Sequence, residues 1–312
     1  MGENTNIEWA DHTWNPWRGC TKVSQGCANC YAETWARRNP AVFGQWGKGA
    51  PRVLAKNWGD PVRWNRFATC NCGTLRIDMR MPGVTGCPVC NSLFRRPRVF
   101  PSFCDWLDEE VPAAWLAQFL ALINLTPNID WLLLTKRPEN WRERIDAAAL
   151  ASTPFHQRWL VEWLNGTPPG NVWFGVSVED QTRADERIPL LMEIPARLRW
   201  LSVEPLIGQV DFRRVPGFNR AGSAGVEMLR NFWVVVGGES GHGARPCRVE
   251  WIRTIADACR AAGVPVFVKQ LGSRPDLAPI QHPKGGDPAE WPHDLAVREF
   301  PNSERSGGEE RR

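Results

Sequence analysis

The stretch Val172-Trp-Phe-Gly-Val176, followed by the segment 180–194 (DQTRADERIPLLMEI) and by Leu198-Arg-Trp-Leu-Ser202, reads as strand, helix, strand. Both flanking runs are short and apolar on each face, as strands buried within a parallel sheet are. The same rhythm extends outward. Arg98-Val-Phe100, Trp131-Leu-Leu-Leu134, Phe232-Trp-Val-Val-Val236 and Val264-Pro-Val-Phe-Val268 are further apolar runs. Residues 112–124, 139–150 and 249–262 carry apolar positions at helical spacing, and Gly263 supplies a stop after the last of them. Such alternation implies a parallel α/β fold. The right-handed crossover rule leaves a barrel, a partial barrel or an open sheet.

Polar residues follow each strand at once: Thr135-Lys-Arg-Pro-Glu139, Ser177-Val-Glu-Asp180, Ser202-Val-Glu-Pro205, Gly237-Gly-Glu-Ser-Gly241 and Lys269-Gln270. In parallel α/β proteins the carboxyl ends of the strands form the working face. Helix capping accounts for Glu139, Glu179 and Asp180. It does not account for the cations Lys136, Arg137, Arg245 and Lys269, which are expected to serve a site.

The bulk composition is that of a globular protein: 312 residues, 43% hydrophobic and 23% charged. No apolar run approaches the roughly 20 residues that span a bilayer, and the N-terminus lacks a signal-peptide pattern, so a cytoplasmic enzyme is expected. Net charge is +4, but residues 1–100 hold 14 Lys/Arg against 6 Asp/Glu. Trp9, Trp14, Trp17, Trp35, Trp46, Trp58 and Trp64 lie in the same third. Basic charge interleaved with flat aromatics suits phosphate contacts and base stacking, although tryptophans also serve as ordinary packing residues.

Seven of the ten cysteines fall within the first 90 residues, in two tight groups, the spacing of metal sites rather than of disulfides. Cys20, Cys27 and Cys30 form C-x6-C-x2-C in a loop with Gly19 and Gly26. Three thiolates can hold three irons of a [4Fe–4S] cube and leave the fourth iron open. Alternatively they form a zinc site, with His12 as the fourth ligand. The second group, Cys70-Asn-Cys72-Gly and Gly86-Cys87-Pro-Val-Cys90, pairs two knuckles, as four-thiolate structural zinc sites do, with a second iron–sulfur cluster as the alternative. It reads as a zinc-ribbon-like insertion over 66–96. Arg95, Arg96 and Arg98 follow it as a possible nucleic-acid grip. Cys104, Cys247 and Cys259 read as packing residues. The tail 301–312 is expected to be disordered.

Asn6-Ile-Glu-Trp through Cys30-Tyr-Ala-Glu resembles the opening of a phage-type three-cysteine family of unknown function, related to radical S-adenosylmethionine enzymes. Leu134-Thr-Lys-Arg-Pro-Glu, Gly175-Val-Ser-Val-Glu-Asp, Leu201-Ser-Val-Glu-Pro-Leu, Val236-Gly-Gly-Glu-Ser-Gly, Ala244-Arg-Pro, Phe267-Val-Lys-Gln and Lys284-Gly-Gly-Asp-Pro match in order over nearly the whole chain. The resemblance implies a partial (β/α) barrel of parallel strands over residues 1–300, with the cluster at its carboxyl-end opening. It implies an iron–sulfur enzyme that cleaves S-adenosylmethionine to a 5′-deoxyadenosyl radical, drawing electrons from a donor such as flavodoxin or ferredoxin. Ser177, Glu204, Gly237, Gly238 and Glu239 are then candidates for holding S-adenosylmethionine. Lys136, Arg137, Arg245 and Lys269 are candidates for an anionic substrate or the cofactor carboxylate. Two departures stand out. The radical-enzyme superfamily commonly spaces its cysteines C-x3-C-x2-C, and its Gly-Gly-Glu motif follows the second strand, not a late one. The expected substrate is a nucleic-acid base. The alternatives are a non-catalytic zinc-stabilised binding protein and a radical enzyme acting on a small metabolite or peptide.

Overall fold

The chain enters its main sheet almost at once. His12–Thr13 (β1) pairs in parallel with a strand almost ninety residues later. The computed structural model describes residues 3–73, 75–79, 86–215, 231–277 and 280–301. Arg80 and all of the expected tail except Pro301 lie outside them. Next come Trp17–Arg18 (β2), helices Tyr31–Arg38 (α1) and Pro40–Phe43 (α2), and Val53–Leu54 (β3), which pairs antiparallel with β2. A short helix, Gly59–Trp64 (α3), leads to the hairpin of Phe67–Thr69 (β4) and Arg76–Asp78 (β5) inside the cysteine-rich insertion.

From Arg98–Phe100 (β6) the alternation is regular: Ala113–Leu125 (α4), Asp130–Thr135 (β7), Trp141–Leu150 (α5), Pro154–Leu164 (α6), Val172–Ser177 (β8), Gln181–Glu193 (α7), Leu198–Leu206 (β9), Phe232–Gly238 (β10), Val249–Ala262 (α8) and Val266–Gln270 (β11). The strands form one parallel sheet in the order β1-β6-β7-β8-β9-β10-β11, curled into a half-barrel. Strand order follows chain order because each right-handed crossover lays the next strand on the same side.

The two faces bury different residues. Trp131, Leu133, Phe174, Val176, Leu201, Val203, Val234 and Val236 meet the helices in the main core. Trp9, Phe100, Leu132, Trp173, Trp200, Trp233 and Phe267 alternate with them and fill the concave side. Their rings pack largely edge to face, with Trp9 at 4.6 Å from Phe100 and 5.4 Å from Trp200. Gly175 makes room for this aromatic floor: a Cβ there would lie 2.3 Å from the Trp200 indole. Further along the same alternation, toward the carboxyl ends, the concave positions become polar: Lys136, Ser177, Ser202, Glu204 and Lys269. The floor closes one end of the half-barrel and the polar ring marks the other. Among the described residues no helix is long and apolar enough to cross a membrane.

Candidate metal centre and strand-end site

The loop from Gly19 to Cys30 lies across the carboxyl ends of β7, β8 and β10, and buried charges hold it there. Past β7, Arg137 is 2% exposed and donates from Nη2 to the Thr21 carbonyl at 2.7 Å. Its Nη1 donates to Asp105 at 3.0 Å and stands 3.8 Å from Cys20 Sγ. Past β8, Glu179 is fully buried. It accepts from the Ser24 hydroxyl at 2.6 Å and from Arg187 at 2.8 Å, with Lys136 Nζ at 3.7 Å. Gly26 rests on that carboxylate so closely that a Cβ would meet its atoms at 2.3–2.6 Å. Past β10, Glu239 takes Arg245 through both oxygens, at 2.9 and 2.6 Å, and accepts from Asn29 at 3.1 Å. Arg245 also donates to the Gln25 carbonyl at 3.0 Å.

Several expectations change as a result. Arg137 and Arg245, expected as cations for an anionic substrate, are hydrogen-bonded to the cysteine loop and to the buried carboxylates Asp105 and Glu239. Glu239 is likewise engaged by the loop. Asp180 does cap α7, accepting from the Arg183 amide at 2.9 Å. Glu179 caps nothing; it is the buried anchor that the capping argument missed. The signal for it was the repeated Ser-Val-Glu at 177–179 and 202–204, on adjacent strands. Lys136 donates to the Ser177 hydroxyl at 2.9 Å, and Lys269 pairs with Glu204 at 2.9 Å. Among the described residues these four side chains make their hydrogen bonds and ion pairs to one another and to Glu179, not to the loop backbone. Gly237 and Gly238 are buried against β11, with Gln270 donating to the Gly238 carbonyl at 2.8 Å.

Burial pushes the Cys20 thiol up to about 12, reinforced by Asp105 and opposed by the neighbouring Arg137. Burial also raises Cys30, while the Ala32 and Glu33 amides at the start of α1 and the charge of Lys136 pull it back. A thiolate at either position therefore needs a positive partner, and a metal supplies one. For Glu239, burial alone would raise the carboxyl; Arg245 and Asn29 outweigh it and hold it below its ordinary value.

The second cysteine group is drawn tight. Cys70, Cys72, Cys87 and Cys90 bring their Sγ atoms within 4.8 Å of one another, the one such knot of His, Cys, Asp or Glu among the described residues. Tetrahedral zinc at about 2.3 Å from each sulfur holds neighbouring sulfurs about 3.8 Å apart, so these four fit one ion such as zinc. The Ser92 hydroxyl, 3.0 Å from Cys90, and its amide hold that thiol down at about 6. Burial pushes Cys87 up to about 11. His12 joins neither group: it is 2% exposed and stacks on Trp64 at 4.2 Å.

The expected basic, aromatic surface is largely dismantled. Trp9, Trp14, Trp17 and Trp64 are core residues, Trp46 and Trp58 are half-buried, and only Trp35 of the seven is exposed. Arg95 is bound to both oxygens of Asp11, at 2.7 and 3.1 Å. Arg98 is 5% exposed beneath the Phe300 ring, 3.9 Å from its centroid. These two are engaged within the fold, whereas Arg96 keeps its side chain 40% exposed, 3.7 Å from Asp130.

No curated protein and no solved structure matches the chain. One family profile does, over residues 4–290, spanning the cysteine loop, the four-thiol insertion and every strand of the half-barrel. On that match the chain belongs to the family described as Protein of unknown function (DUF5131).

Proposed function

We propose that the chain is an iron–sulfur enzyme of radical S-adenosylmethionine type, working at the carboxyl-end mouth of the half-barrel on a nucleic-acid base, as its resemblance to a phage-type three-cysteine family suggests. The observation that carries this reading is the seating of the Cys20–Cys30 loop on Arg137, Glu179 and Glu239 at three separate strand ends. A loop anchored so heavily has a fixed shape before any metal arrives, as a preorganised ligand set requires. The donor set suits the group. Three thiols come from one loop and, unlike the insertion's four, are not gathered within the span of a single ion. Bound there, a [4Fe–4S] cluster with S-adenosylmethionine would supply an electron and a hydrogen-abstracting radical. The protein's own part is local. Arg137 offsets charge at Cys20, and the Ala32 and Glu33 amides do so at Cys30. Ser177, Lys136, Glu204 and Lys269 line the mouth with donors and acceptors. The tryptophan floor closes the far end to water.

Anaerobic purification with metal analysis, followed by reduction with S-adenosylmethionine, tests the reading. About four irons and one zinc are expected, with 5′-deoxyadenosine formed and then lost in Cys27→Ala. Zinc without iron, even after reconstitution with iron and sulfide, would overturn it in favour of a zinc-built binding protein.

A further inference from the structure

Cys30 opens α1, and the outer face of that helix carries two exposed aromatics, Phe155 on α6 being another among the described residues. Tyr31 is 52% and Trp35 50% exposed. The rings form an unbroken array. Tyr31 lies 5.7 Å from Phe103, Phe103 stacks on Phe43 at 5.3 Å, and Phe43 lies 5.8 Å from Trp35. The Tyr31 hydroxyl donates to the Ser102 carbonyl at 2.7 Å, which fixes the ring in place. Rings left half-open in a row and held rigid lose little entropy when something flat settles on them.

The segment that carries Tyr31, Trp35 and Phe43 is net cationic. Between residues 22 and 48 the chain carries Lys22, Arg37, Arg38 and Lys48 against Glu33 alone. Lys22, at 2.7 Å, and Arg37, at 2.8 Å, both pair with that one carboxylate, leaving a cationic surplus. Arg38 holds its guanidinium 6.0 Å from the Trp35 ring centre. A protein interface would also take the rings and Arg38, but it is depleted in lysine, which here adds to the surplus. A phosphate chain with unstacked bases needs this pairing of cation and open ring. Tyr31 and Trp35 are one helical turn apart, about 6 Å along the axis, a span that suits one or two splayed nucleotides rather than a duplex.

We propose that the outer face of α1 and α2 is a docking platform for single-stranded nucleic acid, feeding an unpaired nucleotide toward the thiol loop. This rests on the nucleic-acid reading above and supplies the surface that Arg95 and Arg98 do not. Fluorescence anisotropy of the full chain with a labelled oligothymidylate of about a dozen nucleotides, and with the matching duplex, tests it. Single strands are expected to bind more tightly than duplex. Trp35→Ala should weaken binding on the order of tenfold, with Trp35→Phe restoring most of it. Arg38→Ala should lower the slope of log affinity against log salt by about one. Both positions are exposed, and a thermal melt checks that each variant is folded. Three outcomes would overturn the platform: no binding at about 50 mM salt, binding indifferent to both substitutions, or a concentration-dependent dimer that Trp35→Ala abolishes. Cleavage of S-adenosylmethionine by the unmodified protein without nucleic acid is measured separately. A protein that cleaves but does not bind removes the platform and leaves the radical reading standing.

Discussion

His12 illustrates how a residue with metal-binding chemistry can be taken up by packing. On β1 it lies flat on Trp64 of α3 and accepts from the Asn4 amide, and burial, aided by Arg76, depresses its pKa to about 4. The unfolded chain binds its proton near pH 6.5. Between pH 6.5 and 4 the unfolded state therefore holds more protons, and this residue's contribution to stability falls as the pH drops through that window. Asp130, pushed up to about 6 by burial, acts in the opposite sense between pH 6 and 3.8, so the total hides both. Comparing His12→Phe with the parent by denaturant unfolding at pH 7 and near pH 4.5 isolates the histidine. The parent should lose on the order of 2 kcal/mol relative to the variant over that interval. Equal losses would place the histidine in solvent.

At the scale of elements, the cysteine loop works as a unit whose fit depends on one missing Cβ. Gly26 sits on Glu179, itself fixed by Arg187 and Ser24, so the carboxylate cannot step aside without breaking a buried ion pair. On the proposed iron–sulfur reading, Gly26→Ala is expected to lift the loop and lower iron incorporation severalfold while the half-barrel stays folded. Iron per chain after reconstitution, read beside the far-ultraviolet circular dichroism, checks this. Zinc content should not change, because the four-thiol knot is carried by the separate β4–β5 insertion. Unaltered iron in Gly26→Ala would mean that Glu179 does not set the loop's position.

Over the whole molecule, the last described stretch of the chain packs beneath the aromatic floor, with Arg298 paired to Glu8 at 3.0 Å. Phe300 stacks on Trp233 at 5.6 Å and covers Arg98, while the Trp233 indole donates to the Glu299 carbonyl at 2.9 Å. Phe300→Ala is expected to destabilise the fold by about 1–3 kcal/mol, less than a fully buried ring because one face remains open, and denaturant titration measures it. No measurable loss would show that the C-terminal segment only rests on the barrel. The strand–helix rhythm from Arg98 onward, four of the helices and both cysteine groups were legible in the sequence, because periodicity and ligand spacing are local properties. The helix Pro154–Leu164 and the two-residue strand His12–Thr13 were not. A two-residue strand carries no period, and it exists only because β6 offers it an edge. The fates of the charged residues were also invisible. Arg137 and Arg245 read as free cations at strand exits until the fold brought the loop over them, and Arg95 and Arg98 read as surface until Asp11 and Phe300 met them. Local pattern marked the four thiols that gather within reach of one ion and the segments that must be buried. Which charges face one another, and which of the N-terminal tryptophans stays in water, depended on the fold, since partners more than eighty residues apart meet only when the sheet curls.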